Sequence, residues 1–470
     1  MTSRLPPGPR APQPLQMAAF MRDPVGFMRR CEQLYGPVFT IKLLGTPGCV
    51  FVADPDLAHR VFATDRDIGR AGAARKAFLE PLTGANSLLT LDGDTWTRQR
   101  RMLGPAFHGK HIKRYREQIA AIAAERVQHW PLGRPIPLRP RFQAITLEVI
   151  LRVVFGVADT ARVRHLMRLL PRLLTATESL DKLMFLLPPP VWSRLDPLLS
   201  RVPGTPNARF VALLEASDAL LYDEIAQRRR AADTAGRTDI LSVLLAARDT
   251  DGRRLTDAEL RDTLMTLLLA GHETTATALA WCFERLIRHP EIYERARTAA
   301  RDNTSSNGGD GNGTENHGGD HGDYLEAVAK ETLRNRPVIA DMPRVLTEPM
   351  ELGGYRVPAD WWVTPATLLL HGSPDLFGPD PDTFRPERFL NDEISPHAWI
   401  PFGGGRRQCL GAQFALLEMG AVLPEILTRV RLRPAPDARP ERPTLRHVTL
   451  GPERDACAIA EREAAEDRTC

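Results

Sequence analysis

A long helical pattern in the middle of the chain, residues 256–290, sets the strongest limit on the fold. Thr256 and Glu259 have the spacing of a helix-capping box, and Pro290 is placed to begin the next helix. About 33 residues at about 1.5 Å each predict a helix on the order of 50 Å long, enough to cross a large domain. Charged residues within it, among them Asp262, argue against a membrane span. The fold must therefore be built around one buried central helix.

The centre of this helix carries the string AGHETT, residues 270–275, whose groups an apolar helix does not favour. A buried unpaired carboxylate is costly, and glycine in a helix interior loses about 1 kcal/mol against alanine. Helical spacing places mostly small residues on one face: Leu267, Ala270 or Gly271, Thr274 and Ala278. Small residues leave room for something flat to lie against that face. These local costs therefore point to a function.

The composition excludes several classes of protein. The chain has 470 residues, 43% of them hydrophobic, which is enough for a large core. Its net charge of +4 is too close to balance to indicate a nucleic-acid partner. Six scattered cysteines without a CxxC pair indicate neither a disulfide scaffold nor a zinc site, and they fit a reducing, cytoplasmic setting. The first 30 residues contain no readable secretion signal or membrane anchor. They could form an amphipathic helix at a membrane surface, although a helix packed on the protein fits better.

The remaining pattern predicts an α+β protein that is predominantly helical. Apolar runs at 38–45 and 49–54 around the turn TPG indicate a hairpin. Helical periods dominate residues 55–301, and strand-like pieces return after residue 337. Helices between short strands at both ends suggest one domain and not a string of units.

We predict that this single domain spans residues 1–470 with one polar insertion at about 302–323. That segment is rich in Gly, Asn and Asp, so it should form a solvent-exposed, mobile loop. His317 and His321 within it could be metal ligands, but an accidental pair in a polar loop is the favoured interpretation.

A second motif, PFGGGRRQCLGAQFALLEM at 401–419, contains a candidate metal ligand. Its successive glycines would let the backbone turn tightly and approach a ligand, and a helix is predicted directly after Cys409. The helix N-terminus and the neighbouring Arg406 and Arg407 favour the thiolate, which is the metal-ligating form. Taken alone, such a cysteine is more often a packing residue than a ligand.

The full spacing of this motif resembles the haem-binding loop of the cytochrome P-450 superfamily, F-G-x-G-x-R-x-C-x-G. The resemblance implies the P-450 fold, with a large helical part, a small β-rich part, and haem b between the central helix and the helix after the cysteine. Cys409 would be the axial thiolate ligand of the haem iron, and Arg407 would pair with a haem propionate. Phe402 would pack near the sulfur, and Gly411 would let the helix approach the macrocycle. Thiolate ligation favours O–O cleavage.

Further matches occur in the family's order along the chain. Trp96 and Arg100 resemble a W-x-x-x-R helix that reaches the haem propionates, and Arg344 is a weaker propionate candidate. The family commonly has glycine where this chain has Asp360, which is a local departure in the β-rich region.

Three charged residues match the family's structural Glu-Arg-Arg network. Glu331 and Arg334 lie one helical turn apart in KETLRNRP, and Arg388 follows in FRPERF. Alone, an E-x-x-R pair is usually a surface pair worth well under about 1 kcal/mol. The resemblance instead implies a buried network that fixes the side of the core next to the haem loop.

AGHETT fits the family motif [A/G]-G-x-[D/E]-T-[T/S], which lies over the distal face of the haem. By resemblance, Ala270 and Gly271 make space for dioxygen, helped by a local opening of the helix. Thr274 would hydrogen-bond the dioxygen, and Glu273 would relay protons to it from water. Two residues receive no catalytic role: Thr275, which would bond a helix carbonyl, and His272, which would point away.

The resemblance implies a haem-thiolate monooxygenase that inserts one oxygen atom from dioxygen into a hydrophobic small molecule. Electrons would come from external partners, a ferredoxin and a ferredoxin reductase, to a monomer with no integral membrane anchor and no nucleic-acid partner. A peroxide-using haem-thiolate enzyme and a non-catalytic haem-binding protein are alternatives, and the acid–alcohol pair Glu273 and Thr274 argues against both. Regions rich in Leu, Val, Met and Pro are expected to form an apolar pocket: 70–92, 165–215, 267–271, 338–342 and the surroundings of His447.

Overall fold

A computed structural model describes residues 4–43, 46–107, 110–156, 161–186, 189–231, 237, 239–306, 320–391, 394–436, 438–446 and 448–462. Its longer helices are α1 Gln13–Arg22, α2 Pro24–Tyr35, α3 Pro55–Ala63, α4 Ala71–Thr83, α5 Gly93–Leu103, α6 Lys110–Gln128, α7 Leu138–Phe155, α8 Ala161–Leu186, α9 Pro189–Leu199, α10 Pro206–Arg230, α11 Ile240–Ala246, α12 Asp257–Arg288, α13 Pro290–Ser306 and α14 Asp320–Asn335. Two single turns, α15 Thr367–Leu370 and α16 Pro374–Phe377, precede α17 Ala412–Arg429.

The strands are short and lie mostly toward the two ends of the chain. They are β1 Val38–Ile41, β2 Cys49–Val52, β3 Gly69–Arg70, β4 Pro135–Pro137, β5 Arg344–Leu346, β6 Met350–Leu352, β7 Tyr355–Val357, β8 Trp362–Pro365, β9 Val430–Pro434, β10 Pro443–Arg446, β11 Thr449–Pro452 and β12 Cys457–Arg462. The molecule therefore has the predicted α+β, predominantly helical architecture.

The largest sheet joins the two ends of the chain in the order β1-β2-β8-β5-β3. The predicted hairpin is confirmed, because β1 and β2 pair antiparallel with Val38 opposite Val52. β2 also pairs with β8 in parallel, starting from Cys49 opposite Trp362. Smaller antiparallel units are β4-β12-β9, β6-β7 and β10-β11.

Helix α12 is the predicted central helix, and its 32 residues begin at a complete capping box. The Thr256 side chain accepts from the Glu259 N–H, and the Glu259 side chain accepts from the Thr256 N–H. Pro290 begins α13, as predicted. Most of α12 is buried in one large apolar core, where it packs against α7, α14 and α17.

Two sequence-based expectations need correction. α12 is helical without interruption from Asp257 to Arg288, so the expected local opening is absent. The polar segment 302–323 is helical at both ends, because α13 continues to Ser306 and α14 already begins at Asp320. Polar residues can extend a helix whose remainder is held by packing. Residues 307–319, including His317, lie outside the described residues.

Asp360, where the family commonly has glycine, adopts the left-handed conformation with a φ of 64°. Among the helices of the described ranges, none combines the length and the apolar character needed to cross a bilayer. The described cysteines are free thiols: Cys31, Cys49, Cys282, Cys409 and Cys457.

Candidate active site

The middle of α12 presents an accessible strip on an otherwise buried helix. Ala270 is exposed, and Leu267 and Thr274 are half-buried, whereas their neighbours Leu268 and Thr275 are buried. The accessible residues follow the i, i+3, i+7 spacing of one helix face. Accessible side chains in the middle of a core helix require a cavity beside them. The predicted strip is therefore present, except that Ala278 at its end is buried.

Gly271 lies in the motif but serves packing between helices. A Cβ at Gly271 would lie 2.9 Å from Cδ1 of Ile150 on α7, which is too close for ordinary contact. The missing side chain thus lets α7 approach α12, while Ala270 provides the open space on the other side. The Thr146 hydroxyl of α7 also donates to the carbonyl of His272 at 3.0 Å, which ties the two helices together.

The two threonines of the motif have different environments, and the helix-carbonyl bond expected for Thr275 is made by Thr274. The Thr274 Oγ1 donates to the Ala270 carbonyl at 2.5 Å and lies on the accessible strip. Thr275 is buried and hydrogen-bonds to Glu418 of α17. Burial raises the pKa of Glu418 well above its ordinary value, and the Thr275 contact offsets this only in part. Burial therefore favours the protonated form of Glu418.

Glu273 is half-buried and contacts α7. Its Oε1 accepts from Arg139 at 2.6 Å, and its Oε2 accepts from Gln143 at 2.6 Å. His272 lies beside it, with Nδ1 4.0 Å from Glu273 Oε2. Burial lowers the pKa of His272, so the imidazole is neutral at pH 7. Glu273 is thus held in an ion pair with Arg139 of α7, about one helical turn after Ala270.

Cys409 ends the glycine-rich loop, and its backbone N–H donates to the Phe402 carbonyl at 2.9 Å. The thiol is accessible, although the surrounding protein is dense enough that burial raises its pKa, with smaller lowering effects from the Gly411 N–H and Arg100. The lowered pKa expected from the sequence is not found in the protein alone. Arg407 binds Asp92 instead of the sulfur, so the thiolate depends on a metal cation for its stability.

The glycines of this loop pack chiefly against α3. A Cβ at Gly404 would lie 2.5 Å from the Phe62 ring, and a Cβ at Gly405, where φ is 65°, would lie 2.8 Å from the Phe62 carbonyl. At Gly411, by contrast, a Cβ would meet no protein atom within 4 Å. Open space therefore adjoins the start of α17 beside Cys409. Phe402 is half-buried, with its ring edge-on to that of Trp399.

Trp96 and Arg100 lie against the cysteine loop. Arg100 donates to the Gln408 carbonyl at 2.8 Å, and Arg407 lies over the Trp96 ring at 4.3 Å. Arg407 also donates to Asp92 at 2.5 Å and to the Leu91 carbonyl at 2.7 Å. Burial lowers the pKa of Arg407 to about 10.

Arg344 is more fully occupied than its predicted propionate role suggests. It is 1% exposed and pairs with both oxygens of Asp65 at 2.7 and 2.9 Å. Its remaining terminal nitrogen donates to the carbonyls of Met342 and Pro343. Little donor capacity is left for another anion.

Arg75 on α4 is a cationic group of this region that sequence reasoning missed. It is half-buried among Arg344, Asp65, Asp92 and Asp341, and burial lowers its pKa to about 10. No hydrogen bond or ion pair joins it to another described residue. A desolvated guanidinium without a partner is unfavourable unless an anion binds. No sequence signal marks Arg75, because it belongs to no motif. In the sequence, nothing distinguishes it from the exposed Lys76 that follows it.

The predicted network of Glu331, Arg334 and Arg388 forms a compact buried cluster. Arg334 binds both carboxylate oxygens of Glu331, at 2.6 and 2.7 Å, and its other terminal nitrogen donates to the His371 carbonyl at 2.7 Å. Arg388 Nε lies 3.7 Å from Glu331 Oε1. The cluster ties α14 to the segment around Arg388.

These residues fit the haem that the sequence implies. The cofactor needs a sulfur ligand, an apolar wall and cationic groups for its two carboxylates. The accessible Cys409 thiol and the Ala270 strip would supply the first two, and Arg75, which makes no hydrogen bond to a described residue, would supply one of the cations. The two walls belong to elements in contact, because Glu418 of α17 reaches Thr275 of α12.

Comparison with known proteins gives a consistent result. The family model described as Cytochrome P450 matches residues 6–457. The putative cytochrome P450 135B1 of Mycobacterium bovis is 44% identical over 456 residues, covering 96% of this chain and 90% of the relative. The putative cytochrome P450 135A1 of Mycobacterium tuberculosis is 37% identical, covering 97% of this chain and 95% of the relative.

Solved structures show the same fold. The retinoic acid-bound cyanobacterial CYP120A1 has a TM-score of 0.79 at 24% identity, covering 98% of this chain and all of that one. The heme domain of cytochrome P450DA has a TM-score of 0.80 at 23% identity, covering 98% of both chains.

Proposed function

The chain belongs to the cytochrome P450 family, and we propose that it hydroxylates an apolar small molecule with electrons delivered by separate redox proteins. Membership makes it a haem-thiolate monooxygenase, an oxidoreductase that uses haem iron and dioxygen. We propose haem b, iron protoporphyrin IX, as the form of the cofactor. When bound, this group supplies the activation of dioxygen for insertion of one oxygen atom into a C–H bond.

The observation that carries the proposal is that the contacting helices α12 and α17 each adjoin an accessible group in the middle of the fold. Cys409, just before α17, would supply the thiolate ligand, and the Ala270 strip of α12 would border the cofactor. Five residues are proposed to hold or border the rest of the cofactor: Phe402 and Gly411 beside the sulfur, and Trp96, Arg100 and Arg407 toward the propionates. Arg344 remains a propionate candidate, because the contacts given above leave one of its N–H groups unused. Glu331, Arg334 and Arg388 are proposed to act structurally, because one buried carboxylate holds Arg334 and lies 3.7 Å from Arg388.

We assign Thr274 and Glu273 as the acid–alcohol pair. The Thr274 hydroxyl lies on the strip, where it can give a proton to dioxygen and accept another. Glu273 is bound by Arg139, so it must turn away from that partner to pass protons from water to Thr274. Gly271 contributes by allowing α7 to pack closely behind the motif.

A ferredoxin and its reductase are the proposed electron donors. Arg101 and Arg406 are exposed near the cysteine loop, and exposed cations suit an acidic carrier. The basic stretch at residues 97–116, of which residues 108–109 lie outside the described residues, would suit the same carrier. We further propose a cytoplasmic monomer, which the free thiols of the described cysteines support.

The substrate is proposed to be apolar, such as a terpenoid, a fatty acyl chain or a steroid. Leu267 and Ala270 give the strip an apolar surface, and Ile339 packs near the same core. Of the other regions assigned to the pocket, residues 187–188 and His447 lie outside the described residues.

Comparing two ways of driving turnover tests the proposed chemistry. Product should form with NAD(P)H, ferredoxin and reductase, whereas peroxide alone should support little turnover. The Thr274→Ala variant should bind haem but release a larger share of its electrons as hydrogen peroxide. Thr275→Ala, on the buried face of the same helix, is the matched control and should remain coupled. Full coupling in Thr274→Ala would contradict the assignment.

Loss of the sulfur tests the axial ligand. The reduced, carbon monoxide-bound protein should show a thiolate-type absorption band that Cys409→Ser lacks and Cys457→Ser keeps. An unchanged band in Cys409→Ser would exclude Cys409 as the ligand.

A further inference from the structure

Asp455 lies in the turn between β11 and β12, and we propose that it is a positioning residue that controls how tightly Arg139 holds Glu273. The inference rests on the relay role proposed above for Glu273. Arg139 Nε donates to Asp455 Oδ1 at 2.7 Å while its NH1 donates to Glu273 Oε1 at 2.6 Å. One guanidinium therefore bridges two carboxylates from different parts of the chain.

The backbone of this turn is strained. Asp455 has a φ of 61° and Ala456 a φ of 53°, the left-handed conformation that side-chain-bearing residues rarely adopt. Such strain persists only where the surrounding contacts enforce it, and it clusters at functional positions. Two consecutive non-glycine residues in this conformation indicate that the turn is fixed by what it binds.

The strained turn binds the start of α7. The Asp455 carbonyl accepts from the backbone N–H groups of Leu138 and Arg139, at 2.9 and 3.1 Å. These N–H groups lie at the helix N-terminus and have no partner within the helix. Asp455 therefore fixes the backbone of Arg139 with its carbonyl and the guanidinium with its carboxylate.

Exposure increases from the inner carboxylate to the outer one. The side chain of Arg139 is 8% exposed, that of Glu273 is 15% and that of Asp455 is 27%. Arg446 of β10 approaches the same Asp455 oxygen at 3.2 Å and is 21% exposed. Asp455 is thus the solvent-side partner in a row of charges that ends at Glu273.

Two carboxylates that share one cation compete for it. With Asp455 in place, the charge of Arg139 is partly neutralised from outside, which weakens its hold on Glu273. Without that carboxylate, Arg139 would bind Glu273 more strongly and hinder its turn toward Thr274. Gln143 holds the other oxygen of Glu273 at 2.6 Å and is a neutral contact that this change leaves in place.

The kinetic test uses the full-length, haem-loaded protein with dioxygen as the probe and no added substrate. NADPH oxidation through ferredoxin and reductase is measured in air-saturated H₂O and D₂O. Asp455→Asn should slow oxidation about two- to fivefold and enlarge the solvent isotope effect, because proton delivery becomes slower. The double variant Asp455→Asn/Arg139→Gln should recover the rate, since Glu273 is then free. Ala456→Gly, which relieves strain in the neighbouring residue without changing a charge, should behave as the wild type.

A thermodynamic cycle provides a readout that does not depend on turnover. The fall in melting temperature caused by Glu273→Gln should be larger in the Asp455→Asn background than in the wild type, because both carboxylates share Arg139. Equal falls would overturn the inference. Three kinetic results would also overturn it: a wild-type oxidation rate in Asp455→Asn, a slowed rate that the added Arg139→Gln substitution does not restore, or an equal slowing in Ala456→Gly. If Glu273→Gln alone leaves the rate and isotope effect unchanged, the relay role fails separately, and the cycle still decides the shared contact.

Discussion

Two groups of buried arginines in this protein are neutralised in different ways. Arg334 directs its donors to Glu331 and to the carbonyls of His371 and Thr383, so the cluster is closed within the protein. Near the cysteine loop, Arg75 has no hydrogen bond or ion pair with any described residue, and burial lowers its pKa to about 10. The first arrangement stabilises the fold alone, whereas the second leaves the N–H donors of Arg75 for an anionic ligand, although Asp65, Asp92 and Asp341 lie nearby. Unused guanidinium donors, and not net charge, therefore distinguish the cofactor site from the structural network.

The largest effect is expected from opening the closed cluster. Glu331→Ala leaves Arg334 buried without its carboxylate, and breaking a buried pair in this way costs about 3–5 kcal/mol of unfolding free energy. Urea unfolding of the haem-loaded and haem-free proteins measures this loss, which should be similar in both. If only the haem-loaded protein lost unfolding free energy, the Glu331 cluster would depend on haem, as the Arg75 region is expected to do. The distinction between the two groups would then be wrong.

The next effect concerns the open cluster. Arg75→Gln should release haem to an excess of an acceptor protein about 10–100-fold faster, because a hydrogen bond to a charged group contributes about 1.5–3 kcal/mol. The haem-free protein should keep its stability. Lys76→Gln, one residue away and 61% exposed, is the control and should release haem at the wild-type rate. If Arg75→Gln destabilises the haem-free protein as Glu331→Ala does, Arg75 belongs to the closed type.

Glu418 is buried with Thr275 as its hydrogen-bond partner and gives a smaller, pH-dependent effect. Burial raises its pKa, so the native protein keeps this proton at pH values where the unfolded chain has lost it. Stability must then fall as the pH rises above the ordinary value of 4.5 toward the raised pKa. Glu418→Gln removes this loss, so its advantage over the wild type should grow by about 1 kcal/mol between pH 5 and pH 6. Urea unfolding at both pH values measures it, and a constant difference would indicate an ionised Glu418.

The smallest effect is expected on the surface of the same helix that carries Glu331. Glu326 pairs with Lys330 at 2.8 Å, with side chains 54% and 29% exposed. Glu326→Ala should cost less than about 0.5 kcal/mol, since solvent screens exposed pairs. A cost near that of Glu331→Ala would show that helix disruption, and not buried charge, explains the larger effect.

Sequence reasoning succeeded where the informative residues are close together in the chain. The capping box of α12, the hairpin of β1 and β2 and the P450 fold were all predicted from local patterns. It failed where partners come from distant segments. Arg139 and Asp455 are separated in sequence by more than 300 residues, and neither belongs to a motif. The bridge that Arg139 forms between Asp455 and Glu273 could therefore not be predicted.

The details within the motifs were less predictable than the motifs themselves. The sequence assigned Gly271 to open space, but the close approach of Ile150 depends on how α7 crosses α12. Thr274 and Thr275 are the same type of residue. Only the orientation of the helix decides which threonine lies on the accessible strip and which one hydrogen-bonds to Glu418. The lowered pKa expected for Cys409 failed because burial of the thiol, which depends on the tertiary packing, outweighs the lowering effects of the Gly411 N–H and Arg100.

The parallel pairing of β2 with β8 has a consequence for how the chain folds during synthesis. The hairpin of β1 and β2 can form soon after it leaves the ribosome, but its outer edge is completed only by Trp362–Pro365. At about 5–20 residues per second, roughly 15–60 s pass between the two strands. During that interval an unpaired strand edge is available for association with other chains. We therefore expect truncation before β8 to produce aggregation, and slow translation of the middle of the chain to increase the need for chaperones.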